Sequence, residues 1–372
     1  MPRRILITGG AGFIGSHLAT ELLANGYEVR VLDDLAPQVH GPARKRPDYL
    51  DEQVELTVGN VEDESVLSRS LAGVDGVVHL AARVGVGQSM YDIVKYVRAN
   101  TLGTAALLEA LIERPVERLV VASSMSVYGE GLYCGPDGRP YDGVCRTYEQ
   151  LEAGSWEPRS EADEPLQPLP TPETKRPSLE SVYALSKYDQ ERLCLMVGRA
   201  YDIPTVALRL FNVYGPHQAL SNPYTGVLAI FASRYLNGRP PVIFEDGGQL
   251  RDFVNVRDVA RACRAALEAP AASQAVFNIG SGRAFTVAEV ATRMAAVLNA
   301  THIEPEITGS YRVGDVRHCF ADIGLAGEAL GFAPEVTFDA GLAELAEWLQ
   351  DQPAVDHVGR AREELLTRGL AI

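Results

Sequence analysis

An apolar strand that runs straight into three glycines constrains this chain more than any other feature. Ile5-Leu6-Ile7-Thr8 is followed by Gly9-Gly10-Ala11-Gly12-Phe13-Ile14-Gly15. Each glycine of the triplet has its own physical task. Gly9 permits a tight turn, Gly12 lets the backbone approach a pyrophosphate, and Gly15 lets the next helix pack hard on the strand. The N-terminus of that helix offers free N–H groups and a positive dipole end to phosphate oxygens. A second strand, Val29-Arg30-Val31-Leu32-Asp33, ends in an acid at the separation expected for a ribose-binding carboxylate. Asp33 can accept hydrogen bonds from ribose hydroxyls and would repel a 2′-phosphate. Asp34, Leu35 and Ala36 follow with no arginine, so the pattern favours NAD over NADP.

Strand and helix then alternate. Further strands are expected at 54–60, 77–82, 118–124 and 205–209, and helices at 14–25, 100–113 and 184–201. The stretch 77–82 is almost wholly apolar, as a strand covered on both faces should be. The economical architecture is α/β: a Rossmann-type doubly wound parallel sheet with a smaller C-terminal α/β substrate domain. We expect residues 1–214 to form the cofactor-binding part and 215–372 the substrate-binding part. Ligands sit beyond the carboxyl ends of such strands, where Asn60, Ala81, Ala82, Ser123 and Ser124 fall. His79 lies inside an apolar strand and reads as structural.

Composition narrows the function. A formal net charge of −15 over 372 residues argues against a nucleic-acid binder. No apolar run approaches membrane-spanning length, and no secretory leader pattern follows Met1. The five cysteines, Cys134, Cys145, Cys194, Cys263 and Cys319, are scattered. They fit a reduced cytoplasmic protein rather than a disulfide scaffold. Residues 130–179 are rich in proline and acids and poor in aliphatic runs. They read as a long loop insertion, neither strand nor helix, suited to covering a substrate. Cys134 and Cys145 lack the Cys-x-x-Cys spacing of a zinc knuckle, so no metal is expected.

Ser124 ends the fifth strand, and Tyr183-Ala184-Leu185-Ser186-Lys187 comes later. Tyr183 and Lys187, four apart, share one face of a helix. A free phenol with a pKa of about 10 is a poor base at neutral pH. A nearby ammonium and an oxidised nicotinamide favour the phenolate. A strand-end serine can hydrogen-bond both the phenol and a substrate oxygen. Together they can deprotonate a carbinol as its hydride leaves for NAD.

With these motifs the chain resembles the extended short-chain dehydrogenase/reductase family. The resemblance rests on residues 8–15, 79–82, 123–129, 183–187 and 209–216, and further on 251–258, 278–280 and 312–315. It covers nearly the whole chain apart from 130–179 and the last ~20 residues. Most members act on sugars attached to nucleoside diphosphates, with NAD as cofactor. The resemblance implies catalytic roles for Ser124, Tyr183 and Lys187. It implies cofactor contacts from Gly9, Gly12, Phe13, Ile14, Gly15, Asp33, Asn60, Val61, Leu80, Ala81, Ala82 and Asn100, as well as from Tyr183 and Lys187. On the substrate side it implies Val84, Gly85, Ser124 and Ser126, with Asn212, Arg251 and Arg312 toward the nucleoside diphosphate. Guanidinium forks suit diphosphate oxygens. It also implies a homodimer, formed through apolar helix faces that include Leu107, Leu108, Leu111, Leu193 and Leu195.

One departure narrows the reaction. Sugar 4,6-dehydratases of the family carry Asp-Glu directly after the catalytic hydroxyl, and the related decarboxylases usually place Glu where Ser126 stands. Here the two positions are Met125 and Ser126, which cannot serve as carboxyl acid or base. Reversible oxidation at one carbon remains, and with NAD retained this is 4-epimerisation. Residues 83–91 and 221–227, with the insertion, resemble the dTDP-L-rhamnose 4-epimerase branch. UDP-glucose or UDP-glucuronate 4-epimerases, a nucleotide 4-ketosugar reductase and a non-catalytic NAD-binding scaffold are the alternatives.

Overall fold

Seven parallel strands form the centre of this computed structural model, which describes residues 3–218, 226–269, 272–311, 315–350, 352 and 367–368. Across the sheet they run Ala275–Ile279, Thr205–Leu210, Arg118–Ser124, Gly76–His79, Arg4–Thr8, Glu28–Asp33 and Glu55–Val58. Every adjacent pair is parallel. The chain starts in the middle, builds outward to one side, and then returns to build the other. The reversal lies between Arg4–Thr8 and Gly76–His79, the place where folds of this kind bind ligands beyond the strand ends.

Period-two alternation sends successive side chains to opposite faces. Ile5, Ile7, Val29 and Val31 face a core shared with Leu18 and Leu22 of the helix Phe13–Ala24. Leu6, Leu32, Val77 and Leu119 face the other core. Leu107, Leu108, Leu111 and Leu195 belong to that second core, and Leu193 packs against it. These leucines therefore cover the sheet and are not the free faces expected for subunit pairing. The exposed apolar side chains of the same region include Val94, Leu102, Leu185 and Met196.

Residues past 214 complete the larger sheet. The edge strand Ala275–Ile279 pairs with Thr205–Leu210. The helix Val256–Glu268 lies beside Phe13–Ala24 and buries Val259 and Cys263 in the first core. A smaller sheet joins Asn212–Tyr214, Leu250–Asn255, Ala284–Thr286 and His318–Cys319. Its own core includes Tyr214, Phe231, Phe253, Met294 and Leu342. No helix among the described residues is long and apolar enough to cross a membrane.

The insertion differs from its expectation as an unstructured loop. It contains an antiparallel sheet of Leu132–Cys134, Pro140–Tyr141 and Gln167–Leu169, and a short helix Tyr148–Glu152. Strands of two or three residues are too short to show alternation, which is why the pattern hides them. Buried charge ties the segment to the C-terminal part. Arg146 Nη1 lies 2.7 Å from Glu245 Oε1, and Arg317 reaches Glu157 at 2.6 Å and Glu245 at 2.9 Å. Backbone bonds add to this, with Gly131 N donating to His318 O and Thr171 N to Phe320 O, each at 2.8 Å.

One ion pair lies at the meeting point of these layers. Arg209 donates to both carboxylate oxygens of Glu191, at 2.9 Å and 2.7 Å, and both residues are buried. Removing one partner of such a pair leaves an uncompensated charge in the interior, at a cost of about 3–5 kcal/mol. Glu191→Met should lose stability on that scale in chemical denaturation, and a loss below about 1 kcal/mol would show that the pair is not a structural clamp.

Candidate active site

Ser124 stands where its strand ends and caps the short turn Met125–Tyr128. Ser126 donates to Ser124 Oγ twice, from its hydroxyl at 2.9 Å and its backbone N–H at 3.2 Å. Both are donors, so the Ser124 hydrogen is left to point elsewhere. Ser124 interacts with the Tyr183 phenol in the sense that favours the phenolate. Tyr183 lies in the first turn of the helix Val182–Ala200, which Ser181 caps by accepting from Ala184 N at 3.1 Å. Tyr183 N donates to Ser89 Oγ at 3.0 Å, and the Tyr96 ring meets Tyr183 edge-on. Burial pushes the Tyr183 phenol up, and the Ser124 hydrogen bond opposes that.

Lys187 lies one helical turn further on and is buried. Its Nζ donates to Gln190 Oε1 at 2.6 Å. Burial pushes this ammonium down to about 8, while Cys194 and Glu191 oppose the shift. His79 is structural, as its apolar strand implies. It is fully buried between Thr8 Oγ1 at 2.6 Å and Thr104 Oγ1 at 2.9 Å. Burial pushes it down to about 3, with the Lys187 charge adding to the effect.

The cofactor side passes a steric test for NAD. A Cβ on Gly9, where φ is +70°, would lie 2.8 Å from Ala81 N, and one on Gly15 would lie 2.4 Å from Gly10 Cα. A Cβ on Gly12 would meet only Gly9 O, at 3.4 Å. Gly9 and Gly15 thus serve the turn and the packing, and Gly12 leaves open space in front of the loop for a pyrophosphate. Phe13 and Ile14 begin the helix whose N–H groups face that space. Asp33 Oδ2 accepts from Ala11 N at 3.0 Å and Oδ1 from Leu35 N at 2.9 Å. Burial raises its pKa, against the backbone hydrogen bonds of Leu35 and Ala11 and the charge of His40. Asn60 is exposed at the end of the third strand, with Val61 buried behind it. Leu80, Ala81 and Ala82 follow the fourth strand, beside Gly9.

Asn100 is fully buried in a wide helical turn, Val97–Leu102. It brackets Arg83, accepting from its N–H at 2.7 Å and donating to its carbonyl at 3.1 Å. It also donates to Ser186 Oγ at 2.8 Å. Its side chain thus joins the strand-end loop to the helix that carries Tyr183.

On the substrate side, Val84 is exposed beside Gly85, whose φ is +133°. Asn212 Oδ1 is buried without a hydrogen-bond partner, as suits a group awaiting a ligand. Arg251 spends much of its fork on the chain itself, with Nη1 donating to Leu250 O at 2.9 Å and Arg317 O at 3.0 Å, and Nη2 to Val316 O. Arg312 and residues 221–225 lie outside the described residues. No cluster of three or more His, Cys, Asp or Glu among the described residues could hold a metal. Sequence reasoning missed Gln190 and the Arg146–Glu245–Arg317 cluster. A polar residue inside a helix and charges scattered over the chain carry no local signal.

Comparison with known proteins places this geometry. Residues 5–280 match the NAD dependent epimerase/dehydratase family. The dTDP-L-rhamnose 4-epimerase of Burkholderia thailandensis is 36% identical, covering 94% of this chain and 96% of its own. The UDP-glucose 4-epimerase of Thermotoga maritima, solved with UDP-glucose, superposes with a TM-score of 0.76 at 32% identity, over 93% of this chain and 98% of its own. The Thermus thermophilus UDP-glucose 4-epimerase, solved with NAD, gives 0.73 at 32% identity, over 94% of this chain and all (100%) of its own.

The glycine loop generates a paired prediction. Gly12→Ala should fold normally yet lose NAD affinity by about tenfold or more, about 1.4 kcal/mol. Gly15→Ala drives a methyl into backbone and should destabilise the fold by about 1–3 kcal/mol. Thermal unfolding and NAD titration check both, and unchanged NAD affinity in Gly12→Ala would count against the loop as the pyrophosphate site.

Proposed function

The chain belongs to the NAD dependent epimerase/dehydratase family, and from the site it keeps we propose a nucleotide-sugar 4-epimerase whose first-choice substrate is dTDP-L-rhamnose. The observation that carries the reaction type is the turn after Ser124. Elimination and decarboxylation call for carboxyl groups there, and Met125 and Ser126 stand in their place, with Ser126 turned back to orient Ser124. The 36% identity with the Burkholderia thailandensis enzyme supports the sugar. The likeness to solved UDP-glucose 4-epimerases favours a second reading, a UDP-sugar substrate for the same reaction.

NAD is the cofactor, and when bound it supplies a reversible hydride acceptor at the nicotinamide. The glycine loop and Asp33 would hold its pyrophosphate and ribose. Ser124 positions the C4 hydroxyl of the sugar and the phenol on a common hydrogen bond. Tyr183 takes the hydroxyl proton as the C4 hydride departs, leaving a 4-keto sugar. Lys187 favours the phenolate through its charge. Turning of the keto sugar in the cleft would present its other face for reduction, and Tyr183 would then give the proton back. Atoms and electrons balance with no outside reductant. Asn212, Arg251 and Arg312 would retain the nucleoside diphosphate meanwhile.

Tyr183→Phe should keep NAD binding and lower turnover by roughly 10² to 10⁴. Near-normal turnover would remove Tyr183 from the role. Incubation of dTDP-L-rhamnose and UDP-sugars in deuterated water, read by proton NMR, should give the C4 epimer with protium kept at C4. A strict need for NADPH or accumulation of a 4-keto product would overturn the epimerase reading.

We also propose a homodimer formed through the exposed apolar side chains Val94, Leu102, Leu185 and Met196. The two helical segments that carry them are adjacent, with Thr101 Oγ1 donating to Asp189 Oδ2 at 3.1 Å. Light scattering at micromolar concentration should give a dimer mass, which Met196→Glu with Leu102→Glu should halve. A monomeric parent protein would refute the pairing.

A further inference from the structure

We propose that Gln190 is a positioning residue for catalysis, a neutral acceptor that holds the Lys187 ammonium while leaving its charge free to act on Tyr183. The proposal rests on Tyr183 and Lys187 being the acid–base pair.

Gln190 lies on the catalytic helix one turn after Lys187 and is completely buried. Its Oε1 accepts from Lys187 Nζ at 2.6 Å. An amide can be turned either way, and the far end decides its direction. Nε2 lies 3.3 Å from the Ala81 carbonyl, which can only accept. It also lies 2.9 Å from Thr104 Oγ1, whose own hydrogen goes to Asn100 O at 2.6 Å. Both partners therefore require a donor, and Oε1 must face the lysine. His79 Nε2 lies 2.9 Å from the same Thr104 oxygen and 3.1 Å from Gln190 Nε2, and its Nδ1 lies 2.6 Å from Thr8 Oγ1. A chain of neutral groups thus runs from the strand beside the glycine loop to the catalytic ammonium.

Neutrality is the functional point. A carboxylate at this position would pair with the ammonium and cancel much of its field at the phenol. An apolar side chain would leave a buried ammonium without its acceptor and favour the uncharged amine. An amide avoids both outcomes. The charged and titratable groups around Lys187 agree with this. Glu191 is engaged by Arg209 at 2.7 Å and 2.9 Å and by Ser123 at 2.7 Å. His79 from the fourth strand is held neutral, and burial pushes the Cys194 thiol up to about 12. Tyr183, one turn earlier on the same helix, is the group that the proposal has the ammonium serve.

The test reads Tyr183 directly. Tyrosinate absorbance is titrated in pairs of NAD-bound proteins that differ only by Tyr183→Phe, which isolates one phenol among fifteen. The pairs are made in the parent chain, in Gln190→Glu and in Gln190→Met. Both Gln190 variants should raise the Tyr183 pKa by about one unit or more, and a tenfold population change accompanies each unit. In turnover, kcat should fall most at neutral pH and recover as pH rises, with KM little changed. Should Gln190→Glu fail to fold, Gln190→Met decides alone, since it keeps the volume and adds no charge. An unshifted phenol in a folded variant would make Gln190 a structural amide and overturn the proposal. Absence of turnover on every nucleotide sugar would instead refute the epimerase reading, and the absorbance titration would still decide the role of Gln190.

Discussion

The buried pair of Arg209 and Glu191 is the constraint on which the site depends. Guanidinium and carboxylate meet through two parallel hydrogen bonds, the strongest and most direction-specific pairing that side chains offer. Each partner reaches further. Glu191 also accepts from Ser123, the residue beside Ser124. Arg209 donates to the Tyr128 hydroxyl at 2.9 Å, and Tyr128 donates to Asn278 Oδ1 at 2.7 Å on the last strand of the sheet. A further Arg209 bond, to Glu173 O at 3.1 Å, holds the end of the insertion. The helix bearing Tyr183 therefore cannot rotate or slide relative to Ser124 without breaking several charged bonds in the interior. Alignment of Tyr183 with Ser124 is set below them, in the layer between helix and sheet.

The insertion belongs to the same logic of buried charge. Arg146 comes from the insertion, yet it donates to Glu245 at 2.7 Å and to Asp315 O at 2.9 Å on the C-terminal part. Arg251 grips the adjacent carbonyls of Val316 and Arg317. Two guanidinium groups thus hold residues 315–317 from either side. Such a segment is a built wall of the molecule rather than a loose flap, because opening it would expose paired charges one by one.

What could be read from sequence was whatever had a local signature. The glycine turn, the acid at Asp33, the strand-end serine and the Tyr–Lys spacing each lie within a few residues, and their chemistry demands that spacing. Six of the seven central strands announce themselves as apolar runs. The seventh, Ala275–Ile279, is interrupted by Asn278 and follows a change in pattern, so it read as part of another unit. Leu107, Leu108 and Leu111 showed an apolar face without showing which surface it meets, and only the sheet behind them settles that. Gln190 reads as an ordinary polar position on a helix. Its meaning comes from Thr104 and Ala81, more than eighty residues earlier in the chain.

The crossing-back of the chain also governs how the molecule is made. When the first 214 residues have left the ribosome, Thr205–Leu210 already has every side chain destined for the interior, yet one of its two edges has no neighbour. The helix Val256–Glu268, which covers one face of the sheet, is also still to come. An unpaired, apolar strand edge is an invitation to pair with another chain. The nascent protein thus carries an open seam until residues 275–279 are translated and close it.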